Sequence, residues 1–215
     1  MYEGRSAMPS AFRTVIKDFA TDSFVERKSE FIAYAKRTDT EEEAKAFLDE
    51  IRKKHADATH NCFAYILKDT GVARCSDDGE PSGTAGMPML EVLRREGVSG
   101  VCVVATRYFG GIMLGAGGLI RAYAKTAKMA LDAAGIADFV PYAAFTLTTG
   151  YGEYEKIAKE AAKYGVSVED TQFAADVTLA MKAKTDDFAR FDAFVGEYTN
   201  GKLHCIKTGD TFGPA

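Results

Sequence analysis

Apolar residues recur along the chain with two periods, and the switches between them lay out the elements. Residues 13–19 and 28–36 read as strands, the second alternating through Phe31, Ala33 and Ala35. Thr40 followed by Glu43 is a capping-box pattern. Ala44, Phe47, Leu48 and Ile51 then repeat at helical spacing, which predicts a helix ending near His55. Arg52, Lys53 and Lys54 close that helix, where cations suit its dipole. Residues 61–68 return to strand character. Residues 69–86 keep neither period and are polar, which predicts a long loop without secondary structure. A short helix over 88–96 follows, then an apolar, β-branched strand of Val101, Cys102, Val103 and Val104 with Arg107 at its end. Five glycines come next, at 110, 111, 115, 117 and 118. Leu119, Ile120, Tyr123, Ala124, Ala127, Ala130 and Leu131 then mark a helix.

From residue 143 the pattern restarts. Strand 143–151, helix 153–164, strands 166–173 and 174–184, helix 186–198 and strand 202–208 give the βαββαβ order of a ferredoxin-like domain. Gly135 and Pro141 flank the interval, so the expected domains are 1–138 and 139–215. Residues 1–11, small and polar, are expected to be loose. The fold class is therefore α+β in two domains.

Composition narrows the setting. The chain has 215 residues, 47% apolar and 27% charged, ordinary for a globular protein. No apolar run approaches the length of a membrane span, and the N-terminus lacks the basic and apolar regions of a signal peptide, so a cytoplasmic location and no membrane partner are expected. Cys62, Cys75, Cys102 and Cys205 are scattered without CxxC spacing, which fits reduced thiols. Residues 1–138 carry 19 Lys and Arg against 20 Asp and Glu, and residues 139–215 carry 8 against 11. Neither part is a basic module, which counts against nucleic-acid binding by bulk charge and leaves a local patch open.

The chemistry concentrates around the glycines. Strand, glycine-rich loop and helix together expose backbone N–H groups at a helix start, where the dipole favours an anion. Gly110, Gly111, Gly115, Gly117 and Gly118, with Arg107, Arg121 and Lys125, are the candidate anion site. Tight turning and close packing are the competing account of the same glycines. No GK[ST] follows, so this is not a Walker loop. Tyr108 and Phe109 add the aromatic interleaving that nucleic-acid surfaces use for stacking, although buried aromatics are commoner. Lys128 extends the cationic face of the helix beyond Arg121 and Lys125, and a solvated face opposite the apolar stripe accounts for the three equally well. His60, Asp77, Asp78, Glu80, Gly83 and Thr84 form the supporting set, whose carboxylates would orient Arg107 or Arg121 if they reach them. They lack EF-hand spacing, and no metal or cofactor is expected. His60 near Cys62 has no identifiable catalytic partner, and Ser82 lacks the GxSxG order, so no catalytic residue is assigned.

Three stretches, ATRYFGGIMLGAGGLIRAY (105–123), CSDDGEPSGTAGMP (75–88) and THNCFAY (59–65), resemble the signatures of the IMPACT family, including its bacterial YigZ-like branch. The resemblance implies an amino-terminal α+β sandwich like domains of a small-subunit ribosomal protein and of elongation factor G. It implies a ferredoxin-like carboxyl-terminal domain as well. In function it implies a noncatalytic, translation-associated regulator binding RNA or the ribosome. Two readings stand beside that one. In the first, an enzyme or binder uses the same cleft for a phosphorylated small molecule; in the second, the chain is a protein-interaction module.

Overall fold

In the computed structural model, which describes residues 11–215, the chain begins β1 (Phe12–Val15), β2 (Phe19–Glu26), β3 (Ser29–Arg37), α1 (Glu41–Lys54), β4 (His60–Ile66) and β5 (Ala73–Ser76). It continues α2 (Gly86–Glu96), β6 (Val101–Tyr108), α3 (Ala116–Ala134), β7 (Ile136–Thr149), α4 (Tyr151–Ala161), β8 (Ser167–Phe173), β9 (Val177–Lys184), α5 (Thr185–Tyr198) and β10 (Ile206–Pro214). Two compact units result, Phe12–Asp138 and Phe139–Ala215, and strands and helices occur in both.

In the first unit an antiparallel sheet of order β2-β3-β6-β4-β5 carries a helix layer on each face. β6 is central and buried along both faces from Val101 to Arg107, which is why it reads as one apolar run rather than an alternation. Its even-numbered residues Cys102 and Val104 pack under α1 with Phe47, Leu48 and Ile51. Its odd-numbered residues Val101, Val103 and Ala105 face α2 and α3. Ala33, Ala35, Ala64 and Ala105 are small there, so Tyr123, Ala127 and Leu131 of α3 can approach the sheet closely. The register sets Phe31, Arg107 and His60 abreast across β3, β6 and β4. A row of this kind at the end of a buried face is where the candidate site begins.

Within the second unit the strands run in the order β10-β7-β9-β8, and these three pairings are antiparallel, which is the ferredoxin-like arrangement. Val177, Leu179, Met181 and Ala183 of β9 alternate inward, and the last three join Ile157 and Phe191 of the helices in the core.

Several sequence expectations shift. Residues 69–86 are not one loop, because β5 pairs with β4 from Ala73 to Ser76. Four residues are too few to show a period, and the partner strand supplies the stabilisation. The two strands expected over 13–36 are three, and β2 forms a hairpin with β3. β2 is a largely exposed edge, and its turn places Arg27 and Lys28 at φ of 45° and 63° without the glycine or asparagine that announces such turns. The interval 135–141, expected to hold the domain boundary, is strand from Ile136 onward. The last strand starts at Ile206, later than expected, since Leu203 and Cys205 pack against the core from outside it. The expectation for residues 1–10 lies outside the described residues.

Candidate functional site

Arg107 ends β6 almost wholly buried, at 5% exposure. Its Nη1 donates to Glu80 Oε1 at 2.6 Å and its Nη2 to Ser29 Oγ at 3.3 Å. The guanidinium lies 5.5 Å from the Phe31 ring centre and 5.3 Å from that of Phe109. Glu80 comes from the loop before α2 and is itself buried. The Tyr123 hydroxyl of α3 donates to the same Oε1 at 2.7 Å. Burial first, then Cys62 and Glu80, push that phenol far above its ordinary value, so it stays a donor. Sheet, loop and helix thus meet on one carboxylate oxygen. A buried pair of this kind holds a geometry, and losing one partner leaves the other charged and unpaired.

The two aspartates of the loop have other partners. Asp77 Oδ1 accepts from the backbone N–H groups of Ala85 and Gly86 at 2.9 and 2.8 Å, and Oδ2 from Gly83 at 2.8 Å. Burial alone would raise this carboxyl, but the three backbone donors outweigh it and hold it below its ordinary 3.8. Asp78 accepts from Arg52 Nη2 at 2.9 Å and from the Asn61 N–H at 2.7 Å, while its carbonyl receives His60 Nδ1–H at 2.8 Å. Thr84 turns its hydroxyl back to the Pro81 carbonyl at 2.6 Å. Cys62 donates to the Asp77 carbonyl, and burial pushes its thiol up to about 12, so it packs as a protonated side chain rather than serving as a nucleophile.

The glycines differ in what they do. A Cβ on Gly110 would lie 2.0 Å from the Lys28 carbonyl, so only glycine lets the segment pass under the β2–β3 turn. Gly115 caps α3 at φ +71° with no side-chain hydrogen bond. Gly118 packs on Leu114, Gly111 is exposed, and a Cβ on Gly117 would make ordinary contact with Arg121 Nη1. Tyr108 is tied down, its hydroxyl donating to Asp57 at 3.0 Å and lying 2.9 Å from His55 Nδ1.

What remains outward is a mixed surface. Phe109, Ile112, Met113 and Ile120 are exposed large apolar side chains, Met113 at 80%. Arg27, Arg121 and Lys125, with Glu26, line a groove of about 140 Å3, and Arg27 Nη1 donates to the Met113 carbonyl at 3.3 Å. Lys125 Nζ stands 4.0 Å from the Phe24 ring centre, and Arg121 makes no hydrogen bond or ion pair among the described residues. Lys128 leaves this track by pairing with Asp132 and Glu96. A second cavity of about 370 Å3 lies between residues 79–81 and 109–119, with His60, Glu80 and Arg107 among its lining. Residues 79–81 of the loop and residues 109–119 therefore line one cavity, while Asp77 and Asp78 are not among its lining.

Two features escaped the sequence reading. Tyr123 sits in the apolar stripe of α3 and carries no mark of its bond to Glu80. Arg27 belongs to a turn that sequence did not announce.

Comparison with known proteins adds the family. Residues 27–131 match the model described as the Impact N-terminal domain, and 147–202 match a domain of unknown function, DUF1949. The Bacillus subtilis (strain 168) IMPACT family member YvyE is 38% identical over 196 residues, covering 91% of this chain and 90% of that protein. The Escherichia coli (strain K12) member YigZ is 33% identical over 202 residues, covering 93% and 96%. A crystal structure described as that of a hypothetical protein aligns over 94% of this chain and 99% of its own, with TM-score 0.59 and 31% identity. Identity at this level along nearly the whole of both chains settles membership: the chain belongs to the IMPACT family.

Proposed function

We propose that the chain is a noncatalytic, translation-associated regulator that binds RNA, free or within the ribosome, through the surface of residues 109–125 and the neighbouring Arg27. One observation carries the reading: exposed Phe109 and Met113 line one cavity, Arg27 donates to the Met113 carbonyl, and Arg27 lines a groove with Lys125 and with Arg121, which has no partner among the described residues. Aromatic and apolar side chains give bases a face to stack on, and adjacent cations meet the phosphates. Arg107 contributes as a positioning residue, since Glu80 already neutralises it. The first 138 residues carry no excess of cations, so binding rests on these few local contacts and not on bulk charge. The family resemblance supplies the link to translation.

A small molecule held by its phosphate in the larger cavity is the weaker reading. Arg107 is the one Lys or Arg among the lining residues, and its charge is spent on Glu80.

The test is a binding titration of single-stranded RNA and of purified ribosomes across a salt series. Arg121→Ala should weaken binding about tenfold and flatten the salt dependence by roughly one phosphate contact. Lys128→Ala, whose charge is already paired, should bind as the parent does. Arg121→Ala binding like the parent at every salt concentration would overturn the reading and favour a protein-interaction module.

A further inference from the structure

The larger cavity has a chemistry more specific than the surface around it: Glu80 and His60 bring acceptors to it, beside the Arg107 guanidinium, whose Nη1 and Nη2 are taken by Glu80 and Ser29 and whose buried Nε has no partner among the described residues. Arg107 Nη1 and the Tyr123 hydroxyl both donate to Glu80 Oε1, and nothing among the described residues donates to Oε2. His60 gives its Nδ1–H to the Asp78 carbonyl, so in the neutral ring its Nε2 is an acceptor as well. Nε2 lies 3.8 Å from Glu80 Oε1, which sets the two acceptors side by side. The walls are of another character: Phe109, Met113 and Leu119 are apolar, and the Phe109 ring lies against the Arg107 guanidinium at 5.3 Å. At about 370 Å3 the cavity falls within the range of small-ligand sites. A ligand that satisfies both halves has apolar planar faces and, on one edge, adjacent donors.

We propose that this cavity is a pocket for a guanine base, supplied either by an unstacked nucleotide of RNA or by a free guanine nucleotide. The N1–H and the 2-amino group of guanine meet Glu80 and His60, and Phe109 covers a ring face. The other bases turn acceptors toward acceptors. Adenine and cytosine place a bare ring nitrogen next to the amino group, and uracil flanks its single N–H with two carbonyls. Each mismatch leaves desolvated lone pairs facing each other. The RNA source rests on the function proposed above; the free-nucleotide source does not.

The experiment measures equilibrium binding of GMP, AMP, CMP and UMP, and of single-stranded RNA oligomers with and without guanine. GMP is expected to bind at least about tenfold more tightly than the other three, the discrimination one good base-edge pairing supplies. Ala116→Phe fills the cavity from an exposed position at the start of α3 that takes no part in the Glu80 network. It should abolish GMP binding and the guanine preference of RNA, while Arg121→Ala weakens all RNA alike and keeps the preference. Glu80→Gln should act as Ala116→Phe does, read only if circular dichroism shows it folded; Ala116→Phe carries the test otherwise. GMP selectivity without RNA binding supports the pocket and overturns the RNA reading. RNA bound without base preference, unchanged in Ala116→Phe, overturns the pocket and leaves the RNA reading standing. Binding of neither nucleotide nor RNA overturns both.

Discussion

Glycine is one letter in the sequence, yet at 110 and 117 it stands in opposite situations. Gly110 presses against the Lys28 backbone, where a Cβ at 2.0 Å forces the hairpin to move. Gly117 lies inside the first turn of α3, and a Cβ there would meet Arg121 Nη1 at an ordinary 3.6 Å. Gly110→Ala should therefore destabilise the protein by on the order of 1–3 kcal/mol through forced backbone shifts. Gly117→Ala should be neutral or stabilising, by up to about 1 kcal/mol, because it removes a helix-interior glycine. Thermal unfolding of the two variants side by side checks the contrast; equal losses would mean that both glycines serve packing. The same distinction runs through the acidic loop. Asp77, Asp78 and Glu80 lie within four residues, yet their carboxylates go to backbone N–H groups, to Arg52 with Asn61, and to Arg107 with Tyr123.

Among the elements, α2 shows how a helix start is completed from a distance. Its N-cap, Ala85, makes no side-chain cap bond, and its first turn holds no acidic residue. Asp77, eight residues before the cap, places its carboxylate on the Ala85 and Gly86 N–H groups instead. This anion at a helix N-terminus is the favourable pairing, supplied by the protein to itself. Asp77→Asn should cost about 1 kcal/mol at neutral pH, at the modest end because the carboxyl is partly exposed to solvent screening. The folded-state pKa is depressed, so the stabilisation is fully present above the ordinary 3.8 and is lost as pH falls through the lower folded value. Denaturation of parent and variant at stepped acidic pH should show their difference shrink over that window. A constant difference would assign the effect to shape alone. α1 makes the contrast, since its Thr40–Glu43 capping box lies within the helix's own sequence and is present as read.

For the whole molecule, the two units carry separate cores. The core of Phe139–Ala215 runs from Ala143 to Val195, with every member inside that unit. The Phe12–Asp138 unit has its own clusters on the two faces of its sheet. Separate cores predict that residues 139–215 fold when expressed alone and that the full chain unfolds in two steps. Circular dichroism of that fragment, with calorimetry of the full chain, tests this. A fragment without secondary structure, or a single transition with equal calorimetric and van't Hoff enthalpies, would show that the units fold as one. The fragment lacks residues 109–125 and the larger cavity, so it should bind neither RNA nor GMP under the functions proposed here.

The sequence by itself determined the class, the family signatures and the elements with a sustained buried period. α1, β6, α3 and β9 were legible because each repeats its buried positions over several residues, and periodicity depends only on neighbours along the chain. The ferredoxin-like order was legible for the same reason. The tertiary structure alone decided β5 and β2, short or exposed segments whose hydrogen bonds come from a strand elsewhere. It alone decided which carboxylate Arg107 would meet, because the β3–β6–β4 register, the loop before α2 and the first turns of α3 converge there from residues as distant as Ser29 and Tyr123. Burial converted Arg107 from a candidate anion ligand into the partner of Glu80, and left the outward positions to Arg121, Lys125 and Arg27. A local pattern records which residues face inward; which of them touch is settled only when the sheet closes over the helices.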